Sequence, residues 1–170
     1  MGIVSFFKEA GEKLFGHKEA EAAAAAAAQA PSQADLQERS AQANRAAASA
    51  IEGYIGTQNL AADGLSVEFD GASSTVTVAG VAPDQATKEK ILLCCGNVTG
   101  VAQVNDMMTV AEPADESQYH TVVRGDTLSA IAKKFYGNAN AYPKIFEANK
   151  PMLTHPDKIY PGQLLRIPPA

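Results

Sequence analysis

The stretch Gly96-Asn97-Val98-Thr99-Gly100-Val101 is where the sequence offers chemistry, and that chemistry belongs to the main chain. Ile91, Leu92, Cys94 and Cys95 precede it at helical density, while Val101 and Val104 follow it in the manner of a strand. A glycine just past a helix end takes the left-handed conformation easily, and the last carbonyls of such a helix have no intrahelical amide partner. Those carbonyls can ligate a cation. The partial negative charge of a helix C-terminus adds to their pull, within about the last turn. The same spacing equally serves a plain helix-to-strand connection, so the residues alone leave both readings open.

Little else in the chain is equipped for reaction. No nucleophile and base are paired by spacing, no glycine loop has the form that cradles phosphate, and His17, His120 and His155 are too scattered for a zinc site. A non-enzyme is expected. Cys94 and Cys95 are adjacent on a predicted helix, where neighbouring side chains diverge and cannot readily reach disulfide geometry, so they read as buried free thiols of a reducing compartment.

The 170 residues suffice for one or two small domains, and much of the 46% hydrophobic content is alanine, which keeps the cores small. A formal net charge of -5 gives no general attraction to nucleic acid, which is excluded as an expected partner. The acids gather in the middle, at Asp63, Glu68, Asp70, Asp84, Glu89 and Asp106, and lysines gather late, at Lys133, Lys134, Lys144, Lys150 and Lys158. No run approaches the roughly twenty apolar residues that span a bilayer, and the first residues lack the form of a secretory signal. A soluble, cytoplasmic monomer is expected.

Residues 1–16 read as an amphipathic helix with Ile3, Phe7, Ala10 and Leu14 on one face. It is expected to dock on the domain that follows, with a membrane-surface role as an alternative. Residues 17–34 form an alanine-rich connector. A helix is predicted from Ala34 to Thr57, with Leu36, Ala43, Ala47, Ile51 and Tyr54 near helical spacing. Leu65, Val67 and Phe69 alternate with polar residues, Asp70-Gly71 opens a turn, and Thr75 to Ala79 returns as a second strand ended by Gly80. Pro83 suits the first turn of a helix that runs to Cys95, and a third strand spans Val101 to Val110. The order suggests a small α+β sheet with helices on one face.

Residues 112–118 read as a linker. Tyr119 to Val123 is a predicted strand, followed by a helix with Leu128, Ile131, Ala132 and Phe135 on its apolar face and Gly137 as its stop. Asn140 is placed to cap a second helix, which carries Tyr142, Ile145 and Phe146 and ends at Asn149. Pro161-Gly162 fits a type II turn into a last strand, Leu164 to Ile167.

Two resemblances cover this layout. Val76-Thr77-Val78-Ala79-Gly80-Val81, a helix, and then Val98-Thr99-Gly100-Val101-Ala102-Gln103-Val104-Asn105-Asp106 resemble the BON domain, over residues 35–111. Gly125-Asp126-Thr127-Leu128 and Pro161-Gly162-Gln163, within a β-α-α-β unit, resemble the LysM domain over 119–170. The implied fold is α+β with two small domains, the first having helices on a three-stranded sheet, preceded by the N-terminal helix. LysM resemblance implies a groove for N-acetylglucosamine polymers, formed by Gly125, Asp126, Thr127 and Leu128 with Asn149, Pro151, Met152 and Ile159. A peptidoglycan-binding envelope protein is therefore one alternative function.

As a whole the chain resembles the small bacterial cytoplasmic potassium-binding proteins in which BON precedes LysM. The match includes Lys8-Glu9-Ala10-Gly11-Glu12-Lys13-Leu14, Lys88-Glu89-Lys90-Ile91-Leu92 and Ile145-Phe146-Glu147-Ala148-Asn149-Lys150-Pro151-Met152-Leu153, with the alanine-rich tract as a departure. That resemblance implies a bound potassium ion and the role of sensor or buffer, with any protein partner unidentified. Potassium is well served by neutral carbonyls replacing its hydration shell, whereas clustered carboxylates favour calcium or magnesium. The expected ligands are the main-chain oxygens of Gly96, Val98 and Val101, completed by those of Phe7 and Ala10. Gly96→Val or Gly100→Val should then weaken binding by straining the turn, and Asn97→Ala should do little.

Overall fold

The computed structural model describes residues 2–5 as backbone and residues 33–170 in full. Helix α1, Gln33–Thr57, draws on its alanines for helix propensity, and among the described residues its buried positions, Ala48, Ile51 and Ile55, fall in its second half. Leu36, expected on the core stripe, is 39% exposed among the described residues.

Strands β2, Asp63–Asp70, and β3, Thr75–Asp84, form the expected hairpin, with Val67 opposite Val78 and Phe69 opposite Val76. Its turn is set by the Asp70 carboxylate, which accepts from the Ala72 amide at 3.0 Å and the Ser73 hydroxyl at 2.6 Å. Strand β3 does not stop at Gly80. It passes through with φ +137, where a Cβ would stand 3.1 Å from the Asp63 carbonyl oxygen, so glycine here permits a close strand approach. Pro83 is accordingly still in the strand. Asp84 is the N-cap of helix α2, Gln85–Gly96, and accepts from the Thr87 amide at 2.7 Å.

From α2 the chain enters β4, Gln103–Glu112, which lies parallel to β3 with Val76 beside Val104. A fourth strand joins the three expected. Strand β1, Gly2–Ser5, pairs antiparallel with β4 and gives the order β1-β4-β3-β2. These four residues were expected to be helical. The open edge of β4 offered unpaired amides and carbonyls, and Ile3 and Val4 are β-branched, which favours the strand. The rest of the predicted N-terminal helix and the alanine-rich connector, residues 6–32, lie outside the described residues.

The second domain pairs β5, Gln118–Thr121, with β6, Leu164–Ile167, around helices α3, Leu128–Tyr136, and α4, Tyr142–Ala148. Gly137 ends α3 in the left-handed conformation, φ +70, with its amide on the Lys133 carbonyl. The Pro161-Gly162 turn has the expected geometry, Gly162 at φ +87 and the Gln163 amide 3.1 Å from the Tyr160 carbonyl. Asn140 caps nothing; it sits inside a 3-10 turn, Ala139–Ala141, that Asn138 caps, and α4 has no side-chain cap.

Two cores result, one around Val76, Val78, Ile91, Leu93 and Val104, the other around Ile131, Ile145, Leu153 and Leu165. Strand β6 belongs to both. Leu165 and Ile167 face the second core, while Leu164 joins the first, so all four residues of the strand are buried.

Candidate ion-binding site

The turn between α2 and β4 is built differently from its sequence outline. Gly96 is the last helical residue and is buried; Asn97, at φ -89 and ψ 0, is the C-cap. The left-handed position falls instead on Gly100, φ +91. The Asn97 amide reaches the Leu93 carbonyl at 3.1 Å and the Val98 amide reaches that of Cys95 at 3.2 Å, so these two helix-end carbonyls are taken. The Val101 amide donates to Val98 at 3.2 Å, and the Ala102 amide ties the turn to the Ser74 carbonyl at 2.8 Å. Among the described residues no hydrogen bond ends on the carbonyl of Gly96 or Val101. The Val98 oxygen accepts from the Val101 amide, and a carbonyl oxygen carries two lone pairs.

Gly96, Val98 and Val101 thus lie on one short turn. Phe7 and Ala10 are outside the described residues. In the β1 to β4 register Ser5 stands opposite Gln103, two residues beyond Val101.

Sequence reasoning missed what holds the turn from outside. The Asn97 carboxamide pairs with Leu164 of β6, Nδ2 donating to its carbonyl at 3.2 Å and Oδ1 accepting from its amide at 3.0 Å. One turn earlier in α2, Cys94 Sγ lies 3.2 Å from Met152 Sδ. Further back, the buried Glu89 carboxylate accepts from Arg166 Nε at 2.5 Å, from Gln85 at 2.9 Å and from the Ser117 amide at 2.7 Å. Burial pushes the Glu89 carboxyl up, but these donors outweigh it and hold it below its ordinary value. Burial likewise pushes the Cys94 thiol up to about 12, which leaves it an inert core group. A charged residue amid Ile, Leu and Cys on α2 was the only available signal of this junction.

The expected glycan groove divides. Thr127 and Leu128 line a groove of about 370 Å³ with Ser129, Tyr142, His155 and Asp157. Gly125, φ +93, shapes the preceding loop, and the Asp126 carboxylate accepts from the Val123 amide at 3.0 Å and contacts His120 at 2.8 Å. Burial raises the Asp126 carboxyl, and these partners bring it below the usual carboxylate range. The remaining residues do other work. Asn149 is buried and ties α4 to β6, its Nδ2 on the carbonyls of Ile145 and Arg166 and its Oδ1 on the Arg166 amide. Met152 packs on the first core and Ile159 on the second, while Pro151 is exposed after a cis peptide bond.

Among the described residues no helix is long and apolar enough to cross a membrane, and no three His, Cys, Asp or Glu side chains group as metal ligands. The BON domain family model matches residues 43–112 and the LysM domain model residues 120–168. Over 169 residues, 99% of each chain, the sequence is 44% identical to potassium binding protein Kbp of Escherichia coli O6:H1. An uncharacterized protein of Deinococcus radiodurans is 37% identical over 75 residues, 42% of this chain and 29% of its own. An esterase of Mycobacterium tuberculosis is 50% identical over 48 residues, 28% of this chain and 10% of its own.

Proposed function

The chain belongs to the two-domain BON–LysM family that includes potassium binding protein Kbp, and from that premise we propose that it binds potassium at the turn from Gly96 to Val101. Carbonyls of Gly96, Val98 and Val101 form one side of the coordination shell and those of Phe7 and Ala10 the other. The observation that carries this reading is the pairing of Ser5 with Gln103, which brings the first residues of the chain to the mouth of the turn. Neutral oxygens suit a large monovalent ion. The domains divide at 35–111 and 119–170, both acting as binding modules without catalysis. The protein is a cytoplasmic sensor or buffer and works as a monomer; its two buried free thiols fit a reducing compartment.

A ligand that binds only the folded form adds about 2.7 kcal/mol of stability at 100 times its Kd. Melting in potassium, sodium and lithium chlorides at equal ionic strength should therefore give the highest midpoint in potassium. Equal midpoints would defeat the proposal. The groove beside Thr127 and Tyr142 supports a second reading, an N-acetylglucosamine polymer bound to the LysM domain. Co-sedimentation with purified peptidoglycan tests it.

A further inference from the structure

Asn97 occupies two structures at once. Its main chain belongs to the turn, and its carboxamide meets Leu164 as a neighbouring strand would, donating to the carbonyl and accepting from the amide of the same residue. Two bonds of opposite sense to one residue fix orientation as well as distance, so sliding β6 by a single residue breaks both. The Gly96 carbonyl and the Asn97 amide are parts of one planar peptide unit. Because that amide is held on Leu93, whatever fixes Asn97 also fixes where the Gly96 oxygen points. The other links between the domains, Cys94 to Met152 and Glu89 to Arg166, attach to the body of α2. Asn97 alone of these three links stands in the turn itself.

We propose that Asn97 is a positioning residue for the ion site, through which strand β6 of the LysM domain sets the affinity of the turn. The inference rests on the reading of that turn as the potassium site. It reverses the sequence expectation that Asn97→Ala would be nearly silent. By linkage, the factor by which domain contact tightens ion binding is also the factor by which the ion tightens domain contact.

Amide hydrogen exchange on the unaltered full chain, in potassium chloride and in lithium chloride of equal ionic strength, reads the link from both ends. The Val101 amide reports the turn, and the Leu164 amide, bonded to Asn97 Oδ1, reports the contact. Potassium should slow both, by similar factors. Slowing at Val101 with no change at Leu164 overturns the proposal and leaves the ion reading standing; no response at either amide sinks both.

Potassium titration of Asn97→Ala adds a second measure. Loss of the two bonds should raise the potassium Kd roughly tenfold, the size of one to two net hydrogen bonds. Asn138→Ala is the control, since it removes the cap of the 3-10 turn in the second domain and should lower the melting midpoint with Kd unchanged. An Asn97→Ala protein that behaves like this control refutes the positioning role. Should Asn97→Ala fail to fold, the exchange experiment decides alone.

Discussion

Gly100 is the residue of the turn whose backbone a side chain would strain. At φ +91 it lies where L-residues are rarely found, although a Cβ there would meet nothing within 4 Å. Gly100→Ala should therefore lower stability by about 1 kcal/mol through the backbone alone, and weaken potassium retention further, as read from melting midpoints in lithium and potassium chlorides. Gly96 differs. It is helical and buried, so Gly96→Val acts through packing at the end of α2 and not through turn strain. Cys94 and Cys95 are fully buried, and burial raises both thiols. Neither should react with iodoacetamide in the native protein, and both should do so once denaturant opens the core; native labelling at either position would contradict the packing described.

At the scale of elements, α4 and β6 are held together by the side chain of Asn149, which the LysM resemblance had placed in the groove. Its three bonds satisfy both main-chain groups of Arg166, and the residue is 1% exposed. Asn149→Ala removes the side-chain partners of the Arg166 amide and carbonyl, while the Ile145 carbonyl keeps the main-chain amide of residue 149, and should destabilise the protein by about 2–4 kcal/mol in urea unfolding. Any defect in glycan binding would follow from that loss of fold. Helix α2 is governed by its two caps, Asp84 at the start and Asn97 at the end. Asp84→Ala should cost about 1 kcal/mol, measurable in the same titration, because the Thr87 amide loses its acceptor.

For the whole molecule, the decisive contact is the buried pair of Glu89 and Arg166, which joins α2 to β6 and also clamps the connecting segment through Ser117. Removing one member of such a pair is worth about 3–5 kcal/mol, because the other is left charged and buried. The pair also sets a pH dependence. Folded Glu89 titrates below its unfolded value of about 4.3, so its contribution is complete above that pH and disappears as pH falls through the folded value. Arg166 stays charged throughout. Stability should hold from pH 7 to about 5 and decline below about 4, and Glu89→Gln should flatten that acid-side decline while lowering stability at pH 7. Melting midpoints across the range check both outcomes.

What the sequence determined by itself were the features written within a few residues: the Asp70-Gly71 hairpin, the Gly137 stop, the Pro161-Gly162 turn, the alternation of β2, and the motif groups that place the chain in its family. Each follows from steric or hydrogen-bonding preferences that act along a short stretch of chain. The roles of Asn97, Met152, Asn149 and Arg166 were decided only by tertiary structure. Asn97 and Leu164 are 67 positions apart, Cys94 and Met152 58, and Glu89 and Arg166 77. No periodicity carries such pairings. The strand at Gly2–Ser5 was hidden for the same reason, since a helical pattern gave way to an open sheet edge a hundred residues distant.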